Sequence, residues 1–175
     1  MHIDRSARIL SAIALFGVVV LALSVATLIS PGGGGEDRLV APMPAAAGRQ
    51  VVRPAVFPNT GLPYSPGILA GNTLYLSGQL GRDPATAALV PGGIGAETRQ
   101  ALANLGEVLR AAGMDYGDVV SVTAFIADFA DFPAFNEAYR EVFATDPPAR
   151  AMVQVAGLNL GARVEIQMIA AKAVR

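Results

Sequence analysis

The feature that most constrains this chain is an uninterrupted apolar segment near its N-terminus. Residues Ile9 to Ile29 contain no charged side chain and only two serines and one threonine. At 1.5 Å per residue, a helix of this length spans roughly 30 Å, the thickness of the hydrocarbon core of a bilayer. Arg5 and Arg8 precede the segment, and the positive-inside rule keeps that end in the cytoplasm. The sequence therefore predicts a membrane-spanning helix.

A cleaved signal peptide is the competing interpretation of this segment. Signal peptides have an apolar region of about 7–15 residues and a small-residue cleavage site, whereas this run is longer and the nearest such site is the alanine run at 45–47. Residues 1–30 are predicted to be a transmembrane anchor or a signal peptide, with residues 9–29 in contact with the membrane. Both interpretations place the rest of the chain outside the cytoplasm, either membrane-anchored (on the periplasmic side in a bacterium) or secreted.

A flexible tether is predicted next, over residues 31–50. Pro31 is followed by four glycines and then by a stretch rich in alanine and proline that has no hydrophobic periodicity, which is typical of a linker. Residues 51–175 remain, and they have the usual size of one domain.

The residue inventory restricts the chemistry of this domain. The chain has no cysteine, and its single histidine is His2. A domain without either residue has no thiolate or histidine-dependent nucleophile and almost no transition-metal site. Thirteen basic and fourteen acidic residues give a net charge of −1, so no overall field attracts nucleic acid. We predict no metal, no cofactor and no nucleic-acid partner.

Strand and helix patterns alternate along the domain, and residues 78–93 between them have the composition of a loop. The predicted order is β-β-α-β-α-β-β, over residues 68–70, 73–77, 96–112, 118–128, a helix capped by Asp131 and ended by Pro147, 151–158 and 163–173.

This order predicts an α+β domain with two helices on one face of a mixed sheet. Such an arrangement leaves the second sheet face bare, and an apolar face of this kind is normally buried against something. We expect its apolar surface to come from Val153, Val155, Val164, Ile166 and Met168.

Arg150 and Glu165 are the charged candidates for function. Arg150 begins a strand after Pro147 and Pro148, and its planar guanidinium suits a carboxylate, although a surface arginine in a loop is the simpler interpretation. Glu165 interrupts an apolar strand. It either points to solvent or, if a neighbouring subunit covers that face, serves in proton transfer.

Tyr64 and the pair Ser77-Gly78 are the uncharged candidates. Tyr64 lies between two prolines, which stiffen the segment, so its phenol either donates a hydrogen bond to a ligand or only packs. Gly78 follows Ser77 at a strand end, where a glycine permits close approach of a ligand or marks a bend or bulge.

Together these residues lie in a recognisable pattern. Residues 60–175 resemble the RidA/YjgF family of small trimeric enamine/imine deaminases. The matching blocks occur in the family's order and spacing, and they read PYSPGILAGNTLYLSGQLGRDPATAALV, AAGM, DVVSVTAFIADFADFPAFNEAYREVF, PPARAMVQVAGL and RVEIQMIA.

The resemblance implies a chorismate-mutase-like fold and a homotrimer whose sheets form a central barrel, with ligand sites in the clefts between subunits. It implies that Arg150 grips the substrate carboxylate and that Glu165 places or activates the hydrolytic water. The other positions that match the family's cleft are Tyr64, Ser77, Gly78, Asn136 and Met152. At Met152 the resemblance implies that backbone groups bind the imine end of the substrate. Met152 departs from the family, which usually has cysteine, serine or threonine there, and a methionine side chain donates no hydrogen bond.

Three hypotheses follow for the function. The first is hydrolysis of reactive 2-enamino or 2-imino acids to 2-oxo acids and ammonia, as by 2-iminobutanoate/2-iminopropanoate deaminases. The second is a non-catalytic trimeric module that binds a small 2-imino or 2-oxo carboxylate. The third is an envelope scaffold or holdase. Retention of both Arg150 and Glu165 favours the enzyme.

Overall fold

A computed structural model describes residues 48–57 and 61–173 of the chain. In this part the strands are β1 (Gln50–Val52), β2 (Gly67–Ala70), β3 (Thr73–Leu80), β4 (Val119–Ile126), β5 (Ala149–Gln154) and β6 (Val164–Ala171). The helices are α1 (Gly93–Ala111) and α2 (Phe132–Arg140), with short 3-10 turns at Tyr116–Asp118, Phe129–Asp131 and Asn159–Gly161.

The strands form one mixed sheet in the order β1-β2-β3-β6-β4-β5. Only β4 and β5 are parallel, and the other neighbours are antiparallel. The predicted β2–β3 hairpin turns at Gly71 and Asn72, where Gly71 has the positive φ of 62° that a tight turn requires. The predicted mixed sheet with two helices is confirmed.

Both helices pack on one face of the sheet. The predicted apolar stripe of α1 is completely buried against the alternate residues of the strands, because its 3.6-residue period matches one side of the helix. The stripe consists of Ala101, Leu102, Leu105, Val108 and Leu109.

The opposite face is bare, but the sequence assigned some residues to the wrong side. Val164, Ile166 and Met168 are at most 1% exposed because they face the helices. The residues that alternate with them line the bare face, together with Val153, which is 45% exposed. The two-residue period correctly predicted that alternate residues of β6 share a face. It did not predict which of the two sets of residues faces the helices, because that depends on the neighbouring strands.

Several element boundaries differ from the prediction. α2 ends at Arg140 rather than at Pro147, and β5 covers Ala149–Gln154 rather than residues 151–158. β1 begins at Gln50, within the predicted tether, because three residues are too few to show an alternating pattern. β3 continues through Gly78 to Leu80, where the sequence predicted a loop.

Asp131 does not cap α2 with its side chain. It forms a bidentate ion pair with Arg163, with its carboxylate oxygens 2.7 and 2.6 Å from Nε and Nη2. Asp128 instead accepts a hydrogen bond from the N–H of Ala130 at 2.9 Å, in the 3-10 turn before α2.

In the part of the chain that the structure describes, no helix is long and apolar enough to cross a membrane. The predicted segment 1–30, with its membrane-contacting residues 9–29, lies outside the described residues, as does the predicted tether up to residue 47.

Candidate functional site

Glu165 lies in β6, on the sheet face that carries no helix. Its neighbours Val164 and Ile166 are fully buried against the helices, so alternation along the strand directs the Glu165 side chain to the other face. Glu165 pairs with Leu80 of β3 on one side and Phe125 of β4 on the other. Its carboxylate therefore lies over the middle of the sheet, where it is partly buried.

Gly78 provides space for this carboxylate. The register of β3 against β6 shifts between Leu76 and Gln79, and Gly78 lies in this bulge. A Cβ atom added to Gly78 would lie 2.0 Å from Oε1 and 2.8 Å from Cδ of Glu165, closer than non-bonded atoms approach. A side chain at Gly78 therefore cannot coexist with the observed position of the Glu165 carboxylate.

Ser77 connects this bulge to the proline-rich segment. Its Oγ donates to the carbonyl of Ser65 at 2.7 Å, and its N–H donates to the carbonyl of Pro66 at 2.9 Å. Tyr64, next to this segment, is half exposed. A cleft of about 380 Å³ is lined by four of the predicted residues, namely Tyr64, Ser77, Gly78 and Glu165.

Arg150 lies elsewhere, on the exposed edge strand β5. Its Nη2 donates to Oδ1 of Asn136 at 2.8 Å. Its guanidinium carbon lies 4.6 Å from the ring centroid of Tyr139 and 5.3 Å from that of Phe135, within range of cation–π attraction. Residues of α2 therefore orient the Arg150 fork, and no carboxylate within the described ranges forms an ion pair with it.

Tyr139 supports Arg150 with its ring, while its hydroxyl is buried without a hydrogen-bond partner among the described residues. Burial raises the pKa of Tyr139 to about 12, and the positive charge of Arg150 offsets part of that rise. The phenol is therefore neutral at ordinary pH.

Met152 lies two residues beyond Arg150 on the same side of β5. It pairs with Ala124 and packs partly buried against the hydrophobic core. Its side chain therefore has a packing role, and at this position only the backbone can form a hydrogen bond with a ligand.

One chain does not bring Arg150 and Glu165 together. Val122 pairs with Arg150 and is buried against the helices, whereas Phe125 pairs with Glu165 on the bare face. Because paired residues share a face, the two predicted catalytic side chains lie on opposite faces. Arg150, Asn136 and Met152 form one group, and the cleft residues form another.

The cleft also contains residues that the sequence did not indicate. Asn104 of α1 is 4% exposed, and its Nδ2 donates to the carbonyls of Leu80 at 3.2 Å and Arg82 at 2.9 Å. A polar residue inside the apolar stripe of α1 was the available signal. The others are in or beside loops, where local sequence carries no such signal; they include Arg53, Arg82 and Asn159.

Among the described residues, no cluster of three or more histidine, cysteine, aspartate or glutamate side chains could hold a metal ion. The chemistry of the cleft therefore has to be argued from Glu165, hydroxyl groups, amides and arginines.

Comparison with known proteins gives a consistent result. The family model described as "Endoribonuclease L-PSP" matches residues 55–172. A 2-iminobutanoate/2-iminopropanoate deaminase of Capra hircus is 49% identical over 122 residues, which are 70% of this chain and 89% of that protein.

Solved structures agree in fold. A putative endoribonuclease of Thermotoga maritima is 38% identical, with a TM-score of 0.68 over 71% of this chain and 98% of that one. RidA from an Antarctic Psychrobacter is 37% identical, with a TM-score of 0.67 over 70% of this chain and 99% of that one.

The comparisons also correct the location predicted from the N-terminal sequence. The match covers 89% of the Capra hircus protein, so the remaining tenth is too short for a membrane span of about 20 residues followed by a tether. The prediction of a membrane-anchored or secreted protein outside the cytoplasm is therefore wrong.

Proposed function

The chain belongs to the endoribonuclease L-PSP (RidA/YjgF) family, and from this premise we propose that it hydrolyses 2-imino acids to 2-oxo acids and ammonia. Its curated relatives at 46–49% identity over 122 residues carry the name 2-iminobutanoate/2-iminopropanoate deaminase. This name favours imine hydrolysis over the RNA cleavage in the family description.

The reaction needs one water molecule and no cofactor. The water oxygen bonds to the carbon of the C=N group, and Glu165 accepts a proton from that water as it attacks. Glu165 returns that proton to the nitrogen, and the hydroxyl of the tetrahedral intermediate gives up the second proton to the same nitrogen. The C–N bond then breaks as the C–O bond becomes a carbonyl, so ammonia leaves and the 2-oxo acid forms. Because these imines also hydrolyse without a catalyst, orientation of substrate and water supplies much of the rate enhancement.

The observation that carries this proposal is the contact between Gly78 and Glu165. The carboxylate occupies the volume of a missing Cβ, at the edge of a cleft of about 380 Å³, a usual size for a small-molecule site. A general base needs a fixed position beside its substrate, and the bulge in β3 supplies it. Ser77 and Tyr64 would complete this side of the site.

Arg150 would bind the substrate carboxylate from a second copy of the chain. Arg150 is exposed at the edge of the sheet and donates one hydrogen bond to Asn136. Because a guanidinium has five N–H donors, the others can bind a carboxylate. The bare sheet face also needs a partner to bury Val153 and its neighbours. We propose a homotrimer in which Arg150 and Met152 of one copy face the Glu165 cleft of the next.

A carboxylate-binding module without turnover is the second candidate, and Met152 favours it because its side chain cannot donate a hydrogen bond to the reacting nitrogen. The two candidates differ in one measurement. The purified full chain is mixed with 2-iminobutanoate generated in situ by an amino acid oxidase, and release of 2-oxobutanoate is followed. We expect faster release than without the protein. Binding of 2-oxobutanoate without acceleration would favour the module.

Arg150→Lys and Glu165→Gln test the proposed roles. Arg150→Lys keeps the charge but loses the fork, and loss of a charge-assisted bidentate contact of about 2–5 kcal/mol lowers kcat/KM by roughly 30-fold or more. Glu165→Gln should lower kcat and retain carboxylate binding. The control is Arg110→Lys, which changes an exposed arginine that forms an ion pair with Glu107.

Mixed assembly tests the shared cleft. Arg150→Ala and Glu165→Gln subunits are each expected to be inactive when they assemble alone. In a randomly mixed trimer, a cleft is intact when one neighbour supplies Arg150 and the other supplies Glu165, which occurs in about a quarter of the clefts. Recovery of about a quarter of wild-type activity after co-refolding supports the shared site. No recovery, with mixed trimers verified by mass, would show that each site lies within one chain.

A further inference from the structure

Two arginines that the proposed chemistry does not use line the same cleft as Glu165. Arg53 follows β1 and Arg82 follows β3, and both border the cleft with Ser77 and Tyr64. Within residues 48–57 and 61–173, neither arginine forms an ion pair. Two guanidinium groups without carboxylate partners at one cleft are suited to bind an anion.

The Arg82 side chain is held in place by its own loop. Its Nε donates to the carbonyl of Ala87 at 2.8 Å, and an isolated bridge joins Arg82 to Leu89 across the loop. A guanidinium bonded only through Nε still has both NH₂ groups available, and these can bind the two oxygens of a carboxylate. Arg82 is therefore oriented before any ligand binds.

Ala87, which holds Arg82, has an unusual backbone conformation. Its φ is 61°, in the left-handed region that residues with a Cβ rarely adopt, and it also lines the cleft. Its N–H donates to the carbonyl of Asp83 at 2.8 Å, which closes the loop. Backbone strain of this kind is concentrated at ligand sites, and the carbonyl of this strained residue is the one that accepts the hydrogen bond from Arg82.

Asp83 is the acidic group nearest to Arg82 along the chain, but it is engaged within the loop. Its Oδ1 accepts a hydrogen bond from the N–H of Ala85 at 2.7 Å. Glu165, the other carboxylate of the cleft, is located against Gly78. Within the described residues neither carboxylate forms an ion pair with Arg53 or Arg82, so both guanidinium groups are available to a ligand.

We infer that Arg53 and Arg82 form a second carboxylate subsite, so that the cleft takes short 2-imino dicarboxylates such as iminosuccinate and 2-iminoglutarate. This inference rests on the proposed function. Arg150 of a neighbouring copy holds the carboxylate beside the C=N group, and the carboxylate at the end of the substrate side chain pairs with Arg53 and Arg82. Hydrolysis follows the same balance of atoms and yields ammonia and a 2-oxo dicarboxylate. An alkyl side chain would leave both cations unpaired.

The test compares two substrates on the full chain. Iminosuccinate and 2-iminobutanoate are generated in situ by oxidases acting on aspartate and 2-aminobutanoate, and the ratio of their kcat/KM values is measured. Charge-assisted hydrogen bonds of about 1.5–3 kcal/mol correspond to roughly a 10- to 100-fold effect. We expect Arg82→Met to lower the ratio of dicarboxylate to monocarboxylate by this factor and Arg53→Met to lower it by a smaller one. Arg110→Met, outside the cleft, is the matched control.

Binding provides an independent measurement by calorimetry. Wild-type protein is expected to bind 2-oxoglutarate more tightly than 2-oxobutanoate, and Arg82→Met to remove the difference. If Arg82→Met does not fold, Arg53→Met, on an exposed residue, gives the same comparison. Equal ratios and equal affinities in wild type and both variants overturn the subsite. Dicarboxylate binding that depends on Arg82 but occurs without turnover of either imine supports the subsite and rejects the deaminase.

Discussion

Replacing Gly78 with alanine changes the candidate site without altering any of its functional groups. The new Cβ would lie 2.0 Å from Oε1, 2.8 Å from Cδ and 3.0 Å from Cγ of Glu165. Because these atoms are the outer part of a flexible side chain, the Glu165 side chain can rotate away and the backbone need not move. We therefore expect the free energy of unfolding to change little while the carboxylate loses its position.

The magnitude follows from this displacement. Normal contact distances exceed 3.4 Å, so the carboxylate must move by more than 1 Å, and a misplacement of about 1 Å costs roughly 100-fold in rate. We expect Gly78→Ala to lower kcat for 2-iminobutanoate by about that factor, equivalent to about 2.7 kcal/mol of barrier.

Gly95→Ala is the matched control. Gly95 lies in α1, and its added Cβ would approach no atom closer than 3.4 Å, so this variant should keep full activity and gain about 0.5–1 kcal/mol of stability. Activity is measured with oxidase-generated imine, and stability by urea unfolding. A folded Gly78→Ala protein with wild-type kcat would refute the assignment of Glu165 as the base held by Gly78.

Three further predictions concern stability and assembly. The pKa of Tyr139 is raised to about 12, so the stabilisation that comes from a neutral phenol is complete below pH 10 and is lost as the pH rises through 12. Tyr139→Phe should reduce this alkaline loss. Because the buried hydroxyl has no partner in the described residues, the same variant should also raise the free energy of unfolding at pH 7 by about 1 kcal/mol in urea titrations. Ala87→Gly should raise the free energy of unfolding by about 1 kcal/mol, since Ala87 has a φ of 61°. The control Ala85→Gly changes a residue without positive φ and should lower the free energy of unfolding. Equal effects of the two substitutions would contradict the role of strain. Val153→Asp places a charge on the bare face, where Val153 is 45% exposed, so the chain should stay folded while its mass by light scattering falls from three copies to one; an unchanged trimer would show that this face is not the interface.

Local patterns predicted most of the elements. The apolar stripe of α1 and the alternation in β6 each depend on residues only a few positions apart, and a helix or strand repeats over that distance. Gly71 and Asn72 predicted the β2–β3 hairpin for the same reason. β1 was missed because it has only three residues.

The candidate residues were chosen partly by resemblance, and the structure divides them into two groups. Sequence alone names Arg150, Glu165 and Gly78, but it contains no information on which strands are neighbours. The order β3-β6-β4-β5 places Glu165 against Gly78 and puts Arg150 on the opposite face.

Sequence by itself therefore determined most of the elements, the α+β class and the absence of cysteine chemistry. Tertiary structure alone decided that Val164, Ile166 and Met168 face the helices, that Asp131 pairs with Arg163, and that two loop arginines line the cleft. The physical reason is that periodicity reports which residues of one element share a side. The choice of the buried side, and of the side chains that meet, depends on packing and strand register between segments distant in sequence.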